Sequence, residues 1–198
     1  MKIPGAVVGS SLRCFWLFVV TTAILVGCGP KPPPNLDKMR GRAAIVEDEP
    51  WPSKMEKLAE QQVIDAWSKY QVALDFSVKS IQAEERMLDK MTQSAEFRAL
   101  PPTEQKTAAF IAGAYLGEVI RRHHNGVWSV DSPDGGRFSF PVILDQTYEV
   151  FPCMWCVKRL GYGANENIWR KYQALVVNRT NDVAAVPGGT PGTNLPSP

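Results

Sequence analysis

Cys153-Met154-Trp155-Cys156 is the segment with the clearest chemical potential. It follows the β-prone stretch Tyr148 to Phe151 and then Pro152, so the two thiols open a helix. Free N–H groups and the helix dipole at such a start stabilise a thiolate on Cys153, the form that attacks disulfides and binds metals. Residues three apart on a helix share a face, which puts the two sulfurs within disulfide reach. Other features point away from redox chemistry. No strand–helix–strand frame surrounds the motif, no cis-proline loop can be identified, and Met154-Trp155 is bulky and apolar. Two small hydrophobes inside a helix, free or bridged, satisfy the same pattern. A bridge closing so short a loop adds little entropic stability.

His123 and His124 are the two histidines of the chain, and two Cys with two His make a zinc-type donor set. Adjacent histidines at a helix end point in different directions, so both holding one ion is awkward; two polar residues at a helix terminus is the plainer reading. Val157 stands where a c-type haem site needs His. Glu118 lies in an apolar helix with Arg121 and Arg122 within one turn. It is either an acid with a raised pKa or, more commonly, half of an i,i+4 ion pair with Arg122. No G-x-S-x-G, phosphate loop, H-E-x-x-H or paired-carboxylate frame is present. The expectation is therefore a protein that is not an enzyme and holds no cofactor, zinc at Cys153, Cys156, His123 or His124 being the exception to test.

Two further cysteines, Cys14 and Cys28, fall in the opening segment. Lys2 and Arg13 precede the apolar run Phe15-Trp16-Leu17-Phe18-Val19-Val20, which continues to Val26. The run is short for a membrane span, which needs roughly 20 apolar residues, and has the three-part form of an export signal. Leu25-Val26-Gly27-Cys28 resembles the lipobox of bacterial lipoproteins, with a branched residue three before the Cys and a small one just before it. The resemblance implies lipid transfer to the Cys28 thiol, removal of residues 1–27 and acylation of the new amine. Several acyl chains form a stable anchor. It also implies an extracytoplasmic place in the bacterial cell envelope, with Gly29 in place of Asp favouring the outer membrane, facing the periplasm. Disulfides are permitted there.

The 198 residues carry 22 basic and 20 acidic side chains. Lys2 and Arg13 leave with the signal, so 20 basic residues face 20 acidic ones. That balance gives no case for nucleic acid or for a strongly basic membrane patch.

Residues 28–52 read as a lipidated flexible tether, rich in proline near Cys28 and in charge further on. Residues 53–182 read as one α+β domain, and 183–198 as a disordered Pro/Gly tail. Ser53-Lys54-Met55-Glu56 fits a capping box. From there to Leu100 there is no Gly or Pro, and Val63, Trp67, Tyr70, Leu74, Val78, Ile81 and Leu88 draw one stripe. The spacing predicts one long helix or two, broken near Thr92-Gln93-Ser94. Glu60, Asp65, Lys69, Asp75, Lys79, Glu84 and Glu85 read as its solvated face. Thr107 to Arg122 reads as a buried helix capped by Gly126, with Gly113 and Gly117 one turn apart for close packing against a sheet or helix. An antiparallel meander follows. Its strands are Val127–Asp131, Arg137–Phe140, Val142–Leu144 and Tyr148–Phe151, with a hairpin turn at Ser132-Pro133-Asp134-Gly135-Gly136. Helices from Cys153 to Leu160 and from Glu166 to Val177 close the domain.

Within 109–175, Gly113-Ala114-Tyr115-Leu116-Gly117-Glu118-Val119, then Trp128, then Phe151-Pro152 and Lys158-Arg159-Leu160 resemble small α+β bacterial domains of unknown function. The resemblance implies a fold and no activity. The functional expectation is a membrane-anchored lipoprotein that binds or scaffolds another envelope protein. Alternatives are a thiol-redox or metal-binding protein centred on Cys153 and Cys156, and a self-protection lipoprotein acting against a secreted toxin.

Overall fold

Residues 30–42, 45 and 47–179 are described by the structure, a computed structural model. The signal, Cys14, Cys28 and the 183–198 tail lie outside the described residues. The fold is α+β: seven α-helices and a three-stranded antiparallel sheet among the described residues.

The first helix, α1 (Leu36–Arg40), lies inside the stretch expected to be tether. Leu36 is buried and Met39 packs on the core, which is enough apolar surface to dock one short turn on the next helix. That helix, α2 (Trp51–Tyr70), starts two residues before the expected capping box. Pro50 is its N-cap and Pro52 lies in the first turn, where fixed φ and a missing N–H cost nothing; Ser53 makes no cap bond.

The helical arm breaks first where no Gly or Pro marks a break. Gln71 (φ 54°) ends α2 in the left-handed region, and Phe76 (φ 61°) repeats that geometry before α3 (Ser80–Gln93) begins. The break expected near Thr92-Gln93-Ser94 is present at Ser94 and is the second of the arm. Its side chain accepts from the Phe97 N–H and starts α4 (Ala95–Ala99). The apolar stripe is core: Val63, Leu74, Ile81 and Leu88 are all 0 % exposed.

The longest helix, α5 (Pro102–His123), is buried continuously from Ala112 to Ile120. It ends with Asn125 at φ 51° and the Gly126 N–H bonded to the Arg121 carbonyl, so Asn125, not Gly126, takes the left-handed position. Gly126 is needed for space, since a Cβ there would lie 2.5 Å from Val142 Cγ1. Strands β1 (Val127–Trp128), β2 (Val142–Leu144) and β3 (Tyr148–Val150) pair antiparallel in chain order. Arg137–Phe140 is not a strand. Phe138 (φ 57°) and Phe140 (φ 48°) are left-handed, and Phe140 packs its ring against Trp51 and Phe110. The described residues close with α6 (Pro152–Tyr162) and α7 (Ile168–Tyr172), the latter capped by Asn167 and continued by a wider turn to Val177.

The helices stack in series, α1 on α2, α2 on α5 and α5 on α6. The last contact sets the position of the CxxC segment. A Cβ on Gly113 would stand 2.3 Å from Cys153 Cα, and one on Gly117 would stand 2.1 Å from Trp128 Cη2. The glycine face thus admits the backbone of α6 on one turn and the indole of β1 on the next.

Candidate functional site

Cys153 and Cys156 open α6 on the face turned to α5, as the motif predicts, and both are free and buried. Cys153 Sγ is 3.9 Å from the Phe110 carbonyl oxygen, a long thiol contact. Burial pushes both thiols well above the ordinary range, outweighing the helix-start effect that would lower Cys153. A buried thiol of this kind resists ionisation and is a poor nucleophile. Native protein is therefore expected to react with an aromatic disulfide reagent orders of magnitude more slowly than protein unfolded in urea. Stopped-flow release of the coloured thiolate checks this; fast reaction of the native form would contradict the geometry.

The structure does not bring the histidines to these thiols. Cys153 packs on Gly113, ten residues before His123, which is about 15 Å along α5. His123 Nε2 is 2.9 Å from the Phe76 carbonyl, and His124 Nε2 is 2.9 Å from the Tyr172 hydroxyl. Burial and the neighbouring His123 hold His124 below the ordinary imidazole range. Among the described residues no three His, Cys, Asp or Glu side chains gather closely enough to hold a metal ion.

Glu118 is fully buried and multiply paired. Its carboxylate accepts from Arg121 Nε (2.8 Å) and Nη2 (3.0 Å), Arg122 Nε (2.9 Å) and Trp128 Nε1 (2.8 Å). Burial pushes its pKa up, but the bonds from Arg121 and Trp128 and both guanidinium charges outweigh it, leaving the acid below its usual range. It is a fixed anion joining α5 to β1. The i,i+4 pair with Arg122 was readable from the sequence; the Trp128 bond was not.

Glu84 and Glu85 correct the expected solvated face of the arm, and Glu60 does so too. Glu84 is one turn after Ile81 and one before Leu88, on the apolar stripe itself, and that spacing was the overlooked signal. Neither Glu84 oxygen has a partner at hydrogen-bonding geometry, and burial drives its pKa well above the usual carboxylate range, with the nearby Gln62 side chain offsetting only part of that effect. Below about pH 4.5 both folded and unfolded chains hold this proton. Above it only the unfolded chain releases the proton, so stability falls by about 1.4 kcal/mol per pH unit until the raised folded pKa is reached. Glu84→Gln removes this titration. The variant is expected to match wild type at pH 4 and to gain on it as pH rises above about 5, measured by urea midpoints; a constant difference across pH would refute the buried-acid assignment.

Glu85 works differently. Arg159, 1 % exposed on α6, donates to Glu85 Oε1 and to Asp89 Oδ1, each at 2.7 Å, while Glu85 Oε2 accepts from the Ile168 N–H at 2.9 Å. One carboxylate thus joins α3, α6 and the start of α7. This long-range cluster is not legible in the sequence beyond the charges themselves, because its partners lie 70 to 83 residues apart.

At the surface, α2, α3, α4 and α5 enclose an open recess of about 300 Å³ whose apolar wall includes Tyr70, Met87, Met91, Phe97, Leu100 and Ile111. Met side chains adapt readily to varied apolar shapes. Comparison of the chain with protein-family models, curated proteins and solved structures gives no match.

Proposed function

We propose that this chain is a lipid-anchored protein of the bacterial cell envelope, tethered through Cys28, whose α+β domain binds or scaffolds another protein without catalysis. The observation that carries the binding role is the recess between α2, α3, α4 and α5, floored by the core side chains Met87, Met91 and Phe97 and rimmed by the more accessible Tyr70, Leu100 and Ile111, which fits an apolar side chain of a partner. The groups that could have done chemistry support the same reading. Both thiols are buried and protonated, and Glu118 is held as a paired anion. No helix among the described residues is long and apolar enough to cross a membrane; the lipid on Cys28 supplies the attachment in this reading.

The test places a photo-crosslinking amino acid at Leu100, on the rim of the recess, in the full-length chain in intact cells. A discrete adduct from Leu100, diminished by Thr107→Arg on the exposed side of the same recess, and none from Lys158 on α6, is the expected result. Equal yields from Leu100 and Lys158 would overturn the recess as the binding site.

A further inference from the structure

We infer that the α1 face of the domain lies directly against the membrane and contacts anionic phospholipid headgroups. This rests on the reading of Cys28 as the lipid-bearing residue and departs from a long tether. Pro33 and Leu36 are buried, and α1 is docked on α2. Folded structure therefore begins five residues after Cys28. Five residues span at most about 18 Å fully extended, against about 80 Å for a free segment reaching residue 52. The lipid sits at the bilayer surface, so the α1 layer is held within one short helix length of the headgroups.

The chemistry of that layer suits them. Residues 30–42 carry Lys31, Lys38, Arg40 and Arg42 against Asp37, a local excess hidden in the neutral whole. Lys31, Lys38 and Arg40 are exposed, and neither lysine forms an ion pair among the described residues. Asp37 offsets Arg40 in part, at 3.7 Å, and Arg42 is committed to Glu60. Among the described residues of this layer the two lysines are thus the cations without an ion pair, on the side of the molecule nearest the anchor. The opposite layer, α6, is separated from α1 by α2 and α5, two further helix spacings of about 8–10 Å each.

The experiment uses the full-length lipidated chain, reconstituted in phosphatidylcholine vesicles with or without phosphatidylglycerol and compared with detergent solution. Lysines are acylated briefly with a membrane-impermeant reagent and read by peptide mass spectrometry. The same spectra report the mass of the Cys28 peptide. Lys31 and Lys38 are expected to be protected at least about five-fold on phosphatidylglycerol vesicles, the weight of one basic side chain at an anionic surface. The exposed Lys158 on α6 stays reactive, and the protection shrinks in 0.5 M salt, where the screening length falls to a few ångströms. Equal reactivity of Lys31, Lys38 and Lys158 with Cys28 lipidated would overturn the docking while sparing the anchor. Protection that is the same without phosphatidylglycerol would overturn the anionic partner. An unmodified Cys28 would remove the anchor on which the inference rests.

Discussion

Gly113→Ala is expected to destabilise the domain by about 3 kcal/mol, at the upper end of the cost of forcing atoms into a packed interior. The new methyl would stand 2.3 Å from Cys153 Cα and 2.8 Å from its amide nitrogen. Both are backbone atoms, so no rotamer change relieves the clash and α6 must move as a unit. That motion pulls Cys156, Trp155 and Arg159 from the core together. For a domain of this size a loss of 3 kcal/mol lowers Tm by about 6–12 °C. Gly161→Ala is the control. It lies near the end of the same helix with open space around it and an ordinary helical φ, so it should be neutral or stabilising by a few tenths of a kcal/mol. Calorimetry of the two variants separates packing from propensity; equal Tm values would show that α5 and α6 do not touch at Gly113.

Arg159→Met should cost about 3–5 kcal/mol, because it leaves the buried Glu85 carboxylate without its cation. Asp89, half-buried, can turn toward water, but Glu85 keeps only the Ile168 N–H. The loss should be felt across three helices, since Glu85 ties α3 to α6 and α7. Arg159→Met with Glu85→Gln removes the charge and keeps an oxygen for the Ile168 N–H. The double variant should recover more than half of the single loss, a coupling that a double-mutant cycle from urea denaturation reads directly. Additive losses would mean that the two side chains act independently, contrary to the 2.7 Å bond between them.

Local features of the fold were legible in the sequence where one element's pattern decides them. The Gly113/Gly117 turn announces close approach, Ser94 announces a break, and Pro152 followed by a small residue announces the start of α6. The Glu118–Arg122 pair follows from helix geometry alone. Features decided by the partner element were not legible. Gln71 and Phe76 turn left-handed without Gly because Leu74 between them is pinned in the core and the Tyr115 hydroxyl accepts the Phe76 N–H at 3.0 Å. Phe140 abandons the expected strand for a seat between Trp51 and Phe110, residues distant in the chain. Proline-rich composition predicts a free tether, yet Leu36 and Met39 dock α1 because α2 offers them apolar surface. Of the candidate site, the sequence located the thiols correctly on one helix turn. Their chemistry is set by burial, for Cys153 through the close approach of α5 at Gly113 and Phe110, which composition does not encode.

The role of Glu84 remains tied to the same interior. A buried carboxyl on α3 whose pKa is pushed up costs stability as pH rises above the usual carboxylate range, and Arg159 Nη1 is likewise buried without a hydrogen-bond partner among the described residues. Both lie in the three-helix region that Glu85 joins, which makes it the part of the domain most sensitive to polar substitution.

The anchored-module account stands or falls on the N-terminus of the mature chain. Intact mass spectrometry of the full-length product extracted from cell membranes measures it. The account predicts a chain that begins at Cys28 and carries diacylglyceryl and acyl mass on that residue, with Cys153 and Cys156 as free thiols. A chain that retains residues 1–27, or a Cys28 without lipid, would contradict it.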